Sequence, residues 1–281
     1  MSTGIDANGF PIAFKVSSAS RPAFGQDGGP RRVAHVAEVR HAGHHQKEAM
    51  VLEGEDGPQW RLASDEGAHL NGTDLAPFPL GYFNAGLQGD LAGAIVRTAR
   101  RRGIAIDKLS MELTTAYSLT GSFMEGTGLG AADRVAITLD IASSASAKAI
   151  ADLAAASVAA SPALAMVSSP LRNTFALYVN GRRRAVSTLP ASAARNACDP
   201  FIKYSDVPRP LAEAGDQSWL VVKTGEKQPG VPVPAAVSGK VVREIRGRGE
   251  LVDPRGLYAA RVAPALPGGA EYQFIADETG T

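Results

Sequence analysis

The sequence has a single cysteine, Cys198, among its 281 residues, so no disulfide can form within one chain. This scarcity fits a reducing compartment, or any compartment in which the fold needs no covalent cross-link. Three of the five histidines fall in the segment HAGHH at 41–45, but no second cluster at ligand spacing accompanies them. We therefore predict a surface loop for this segment, no metal site and no cofactor.

An excess of charge of either sign is also absent, because the formal net charge is +1 at pH 7. A protein that binds nucleic acid needs a basic field to offset the phosphates, so the composition argues against such a partner. No apolar run approaches the roughly 20 residues that span a bilayer, and the N-terminal segment lacks the basic and apolar regions of a signal peptide. We therefore expect a soluble, cytoplasmic protein with neither nucleic-acid nor membrane partners.

What the sequence does contain is one strongly helical segment, predicted to begin at Pro79 and to end near Arg102, before Gly103. Proline suits the first turn of a helix, where its missing N–H costs nothing, and glycine commonly ends one. Apolar residues recur at spacings of three and four, as on a helix face turned toward a core. They are Leu80, Phe83, Leu87, Leu91, Ala94 and Ile95. Asp90 lies on the flank of this stripe with no charged residue at i±3 or i±4, which makes it a candidate site.

Alternation of apolar and polar residues predicts strands before and after this helix. The candidates are FPIAFKVSS, RRVAHVAEVR, EAMVLEG and QWRLAS before it, and KLSMELTTAYSLTGSF, DRVAITLDIAS and NTFALYVNG after it. A second helix is predicted from about Ser146 to Ala160, with Ser144 or Ser146 as its N-cap. Asn180 and Gly181 predict a turn.

The character of the sequence changes after residue 185. Residues 186–281 predict a β-rich C-terminal extension, which we expect to pack on a first domain of residues 1–185 or on a partner subunit. Its strand candidates are WLVVKT, KVVREIR, LYAARVA and EYQFIAD. No internal repeat is apparent in the sequence.

Two stretches resemble the OsmC/Ohr family, which comprises osmotically inducible and organic-hydroperoxide-resistance proteins. The first is WRLASDEG with LNGTDLAPFPLGYFNAGLQGDLAGAIVRTARRRGI, which has a glycine-rich approach, a proline, an Ala-rich helix and a Gly-Ile exit. The second is AASVAASPALAM, which matches the family's second helix. The order of elements over residues 10–182 matches as well. The resemblance implies an α+β fold in which two long helices and antiparallel sheets form an intertwined homodimer.

The resemblance also implies a chemistry that this sequence cannot perform in the family's way. Family members place a peroxidatic cysteine on the first long helix and a resolving cysteine before a proline on the second. Here those positions fall on Asp90 and on Ser161, which precedes Pro162. The family's helper glutamate falls near Leu80 or Gly81, neither of which is acidic. A carboxylate cannot be oxidised and resolved as a thiol can, so we do not expect thiol-peroxidase activity from this helix.

The candidate catalytic residues are Asp90 and His69. Asp90 lies where the family does its chemistry, and partial burial would suit it to general acid–base or nucleophilic work; the alternative is a structural pair with an arginine. His69 lies in the polar loop before the helix, where it could form an acid–base pair with Asp90, or be a solvated loop residue. By the same resemblance, one of Arg21, Arg31 and Arg32 could be the family's helper arginine, and a surface role is the alternative for all three.

The candidate substrate-binding residues lie on the same helix. They are Tyr82, Phe83, Asn84, Leu87 and Gln88. Asn84 lies close to the apolar stripe, where it could orient a ligand oxygen. Tyr82 and Gln88 are expected to point away from the stripe, so contact with the second helix or a partner subunit is their alternative role.

Three functions remain open at this stage. The first is a non-thiol enzyme, of hydrolase, lyase or isomerase type, in which Asp90 acts on a small, mostly apolar organic compound. The second is a non-catalytic ligand-binding or interaction protein on the same scaffold. The third is reduction of organic hydroperoxides through Cys198. In each case we expect a homodimer.

Overall fold

The computed structural model describes residues 4–5, 9–16, 35–53, 57–67, 70–122, 125–193, 217–225, 241–264 and 269–277. Their elements are β1 (Ala13–Lys15), β2 (His35–Gly43), β3 (Gln46–Glu53), β4 (Gln59–Ser64), α1 (Pro79–Arg102), β5 (Lys108–Thr120), β6 (Leu129–Ala142), α2 (Ala147–Ala160), α3 (Pro162–Ser168), β7 (Leu177–Val179), β8 (Arg182–Arg184), β9 (Val221–Lys223), β10 (Val241–Asp253), β11 (Leu257–Pro264) and β12 (Tyr272–Asp277). Helices and antiparallel sheets therefore occur together, which confirms the α+β class.

Helix α1 has the predicted bounds, and its ends show why. Pro79 occupies its first turn, and Gly103 follows its last residue in the left-handed conformation, at φ 64°. The Gly103 N–H donates to the Arg100 carbonyl and the Ile104 N–H to the Ala99 carbonyl, which is the Schellman pattern for closing a helix. Three arginines in the last turn, Arg100 to Arg102, complement the helix dipole.

Helix α1 is buried on more than one side, because it lies between a large sheet and the pair α2–α3. Leu87, Leu91 and Ile95 from the predicted stripe are almost fully buried. Leu80, which was expected in the same stripe, is instead 38% exposed. It lies in the first turn of the helix next to Pro79, which is exposed as well.

The large sheet has six strands in the order β6-β5-β10-β11-β12-β9. Strand β10 pairs with β5 from Val241 opposite Leu119 to Glu250 opposite Ser110. The strands of the predicted extension thus continue the sheet that β5 and β6 begin, and α1 packs against all of β5, β10, β11 and β12. The division of the chain at residue 185 stays a prediction, and this sheet crosses it.

The smaller sheet repeats the topology of the outer part of the large one. The smaller sheet has the strand order β2-β3-β4-β1, and the outer four strands of the large sheet have the order β10-β11-β12-β9. In each set, a hairpin is followed by a third strand, and the strand that precedes the hairpin in the chain lies at the far edge. In both, the first strand of the hairpin has a register irregularity next to the turn, at His41/Gly43 and at Leu251/Asp253. The repeat that is not apparent in the sequence is therefore present in the strand order.

The second predicted helix is present as α2, and a shorter helix, α3, follows it. Helix α2 has 14 residues and α3 has seven, whereas α1 has 24. Ser146 caps α2, as one of the two predicted N-caps, by accepting from the Ala149 N–H. The predicted turn at Asn180 and Gly181 is confirmed, since both residues have positive φ between β7 and β8.

Within the described part of the chain, no helix on its own has the length and apolar composition of a membrane span. Helices α2 and α3 meet that test only when they are taken together, across a bend of 72°.

Candidate functional site

Asp90 lies on α1 and faces the junction between α2 and α3. Its carboxylate oxygen Oδ2 accepts a short hydrogen bond from the Ser161 hydroxyl and a second, at 3.3 Å, from the Ala163 N–H. Ser161 in turn caps α3, because its Oγ accepts from the Leu164 N–H at 3.1 Å. The two positions at which the resemblance places cysteines are thus joined by a hydrogen bond between a carboxylate and a hydroxyl.

The environment of Asp90 differs from the expected structural alternative, an ion pair. Among the described residues, none forms a salt bridge with Asp90, and its second oxygen, Oδ1, has no hydrogen-bond partner there. Asp90 itself is half-buried, whereas Ser161 is only 1% exposed. One carboxylate oxygen is therefore fixed while the other is left to meet solvent or a ligand.

Asn84 and Gln88 form a buried polar network that faces the large sheet. Both are 0% exposed. The Asn84 amide nitrogen lies 3.3 Å from the Leu113 carbonyl and 3.4 Å from the Ile245 carbonyl, so it contacts β5 and β10 together. Gln88 donates to Asn84 Oδ1 at 2.9 Å and accepts from the Tyr258 hydroxyl at 3.1 Å.

This network corrects the expected orientation of Gln88, which points into the sheet and not away from it. The side-chain amides of Asn84 and Gln88 are fully buried and bond to other protein groups. Neither side chain therefore presents a polar atom to a ligand in this conformation. Their role as substrate-binding residues would require α1 to move from the sheet. The network instead explains how polar residues are tolerated beneath a core helix.

The remaining candidates on α1 also contact protein groups. The Tyr82 hydroxyl donates to the Ala63 carbonyl at 2.8 Å, and its ring meets Phe274 edge-on at 5.2 Å between centroids. Burial raises the pKa of the Tyr82 hydroxyl well above its ordinary value, so it stays protonated as a donor. Leu87 is a core residue and Phe83 packs partly buried against the same core. The structure therefore does not bring these side chains together with Asp90 around one cavity.

Several predicted site residues lie outside the described residues. They are His69, Cys198, Arg21, Arg31 and Arg32. The His69–Asp90 pair, the helper arginine and hydroperoxide reduction through Cys198 thus stay predictions.

The HAGHH segment forms the β2–β3 hairpin, where His44 has φ 48° at the turn. No group of three or more potential metal ligands occurs within the described ranges.

Two aspartates in the polar loop before α1 are buried. Asp65, at 0% exposure, accepts from the N–H groups of Glu66, Thr73 and Leu75, so it organises its own loop. Asp74, at 3% exposure, contacts the second half of the chain. Its Oδ2 lies 3.0 Å from Lys223 Nζ on β9. The sequence predicts the polar loop, but it does not predict that Asp74 pairs with Lys223, which is distant in the chain.

A groove that the sequence did not suggest lies on the face of the large sheet opposite α1. Its volume is about 740 Å³, and both charge signs line it. The cations are Lys108, Arg246, Arg248 and Arg261, and the carboxylates are Glu112, Asp140, Glu250 and Glu271. Salt bridges such as Arg248–Glu112, at 3.3 Å, already pair some of these groups. The sheet separates this groove from Asp90.

Comparison with known proteins gives a similar solved structure. No family model matches the chain, and no curated protein matches it. A crystal structure of an OsmC-like hydroperoxide resistance protein from Jannaschia sp. CCS1 aligns with 54% of this chain and 96% of its own, at 20% identity and a TM-score of 0.35.

Proposed function

We propose that the protein is a non-thiol enzyme in which Asp90 acts as general acid–base or nucleophile on a small, mostly apolar organic compound. The reaction would be of hydrolase, lyase or isomerase type, and the active form a homodimer. The observation that carries this proposal is the asymmetry of the Asp90 carboxylate, since Oδ2 is held by Ser161 and Ala163 while Oδ1 has no partner among the described residues.

A carboxylate held in this way is suited to proton transfer. The Ser161 hydroxyl and the Ala163 N–H hold the carboxylate of Asp90 in one orientation, so Oδ1 always points the same way. No side-chain entropy of Asp90 is then lost when a substrate binds. Ser161 is too buried to act as a nucleophile itself. Asp90 is therefore the reacting group and Ser161 a positioning residue.

Exposed apolar side chains flank the α2–α3 junction, which contains Ser161. Val158 precedes the α2–α3 junction at 44% exposure, and Met166 follows it at 40%. Such side chains favour an apolar substrate over a charged one, because burying a charge without a partner is costly. The apolar character of the proposed substrate rests on them.

The test compares wild type with Asp90→Asn, which keeps an oxygen to accept from Ser161 but cannot take up a proton. Hydrolysis of 4-nitrophenyl acetate and butyrate, followed by absorbance, serves as the probe. We expect a loss of about 10²–10⁴-fold in kcat for Asp90→Asn, with unchanged rates for Asp152→Asn, an exposed carboxylate on α2. Wild-type rates in Asp90→Asn would reject a catalytic Asp90.

A second candidate is a non-catalytic interaction protein, favoured by exposed apolar side chains over residues 158–189. They are Val158, Met166, Val167, Leu171, Phe175, Leu177, Val179 and Leu189, each 36–54% exposed. Clustered apolar exposure of this kind commonly marks a binding surface. Under this alternative, the dye bis-ANS binds wild type and Asp90→Asn equally and binds Leu171→Glu/Leu177→Glu less, with Val252→Glu as the control for an isolated exposed valine. Equal binding by all four proteins would remove it.

A further inference from the structure

Strand β6 is a long strand at the edge of the large sheet. It has 14 residues, and among the described residues only β5 pairs with it. The opposite edge strand, β9, has three residues. Proteins commonly shorten or otherwise protect their edge strands, because unpaired backbone groups pair readily with another strand. The length of β6 therefore calls for a partner strand.

The central part of β6 is regular and self-complementary. The ladder with β5 runs without interruption from Arg134 to Ala142, and its only irregularity lies on the other side of Arg134. If two copies of β6 pair antiparallel with Ile137 on a two-fold axis, Arg134 of each copy lies opposite Asp140 of the other. Val135 then lies opposite Leu139.

Both faces of such a pair match in character. Arg134 and Asp140 are exposed on the face away from α1, with side-chain exposures of 61% and 68%, and each already has a partner within the chain, Glu244 at 3.2 Å and Lys108 at 3.3 Å. Val135, 37% exposed, and Leu139, half-buried, lie on the face toward the core. Opposite charges therefore meet on one face and aliphatic side chains on the other, which is the pattern that stabilises a cross-strand contact.

We propose that β6 is the dimerisation edge of this protein and that its occupant is β6 of a second copy, antiparallel, with Ile137 on the two-fold axis. The two six-stranded sheets then form one continuous sheet, with both α1 helices on the same face. The inference rests on the homodimer proposed above but not on the role of Asp90, which lies on α1 and not at this edge.

The first experiment measures the dimer dissociation constant by sedimentation equilibrium for single and double charge reversals. Arg134→Asp and Asp140→Arg each place like charges opposite one another, so each should weaken the dimer about tenfold or more. The double variant restores the opposite pairing and should recover most of the loss. Arg248→Asp, at an exposed arginine on β10, is the control and should leave the constant unchanged.

The second experiment needs no variant that might fold poorly. Hydrogen exchange is measured on wild type above and below the dimer dissociation constant, and amides of residues 134–140 should lose protection on dilution while those of β9 do not. Two results would contradict this interface while still supporting a homodimer. One is a dimer whose β6 amides exchange at the same rate at both concentrations, and the other is a dimer whose dissociation constant is unchanged by the charge reversals. A protein that is monomeric at all concentrations would contradict both the interface and the homodimer, but it would not test whether Asp90 is catalytic.

Discussion

Asn84 on α1 and Gly247 on β10 approach so closely that no side chain fits between them. A Cβ added at Gly247 would lie 2.1 Å from Asn84 Oδ1 and 2.1 Å from Gln88 Nε2. These residues are separated by most of the chain, yet the contact sets how closely the helix approaches the sheet. The glycine is therefore part of the buried amide network and not a random interruption of the strand.

Gly247→Ala should lower the free energy of unfolding by about 1–3 kcal/mol, because the methyl group forces the amides of Asn84 and Gln88 from their partners. Gly86→Ala is the control, since a Cβ there meets nothing within 4 Å on an exposed part of the same helix. It should raise stability by about 0.5–1 kcal/mol. Urea unfolding followed by circular dichroism distinguishes the two signs. Equal stability of Gly247→Ala and wild type would show that α1 does not press on β10.

The Asp90–Ser161 hydrogen bond should appear as a coupling in a double-mutant cycle. Ser161→Ala removes both the cap of α3 and the bond to Asp90, so it should cost about 0.5–2 kcal/mol. In the background of Asp90→Ala, the same substitution should cost less, with a coupling of about 0.5–3 kcal/mol measured by denaturant unfolding. Additive effects would mean that the two side chains do not bond in solution.

Glu48 joins two arginines in the smaller sheet. Its Oε1 accepts from Arg61 Nε at 2.9 Å and its Oε2 from Arg40 Nε at 2.8 Å, while Arg61 is 1% exposed. Glu48→Gln leaves the buried Arg61 cation without its counter-charge and should cost about 3–5 kcal/mol. The control is Asp152→Asn in the exposed Lys148–Asp152 pair, where about 0.3–0.5 kcal/mol is expected. Thermal unfolding at pH 7 measures the stability of both variants. If the two substitutions lowered stability by similar amounts, the buried Glu48–Arg61 ion pair would be contradicted.

Glu66 gives a prediction for pH dependence. Burial raises the pKa of its carboxyl and outweighs the opposing effect of Lys47, whose Nζ lies 3.9 Å from Oε1. A raised pKa in the folded state means that its protonated form stabilises the fold at low pH, and that this contribution is lost as pH rises through the folded-state value. Glu66→Gln should therefore raise the Tm most above that value, and the gain should disappear below about pH 4.3, the ordinary glutamate pKa. A gain that is constant with pH would contradict the assignment.

The sequence was sufficient to predict elements whose limits are set locally. Pro79 and Gly103 fix the ends of α1, and Asn180 with Gly181 fixes the β7–β8 turn, because each acts through its own backbone conformation. Strand β10 was predicted too short, since Gly247 and Gly249 lower strand propensity. The structure shows that β10 passes under α1, where no residue larger than glycine fits at position 247.

The candidate site was predicted less completely, because its contacts join distant segments. The partner of Asp90 lies 71 positions away at Ser161, and the carbonyl of Ile245 that orients Asn84 lies 161 positions away. Helical periodicity gives the face on which a residue lies, but not what packs on that face. Gln88 was therefore expected to point away from the core, although β10 and β11 form core on that side as well.

The repeated strand order has a consequence for how the chain folds. Strands β2 and β10 hold equivalent places in two similar units, and β10 pairs with β5. During synthesis β2 precedes β5, whereas β10 follows it after a long interval. A nascent chain thus offers β5 an early competitor for the edge that β10 finally occupies, which is a route to a kinetic trap or to exchange of units between chains.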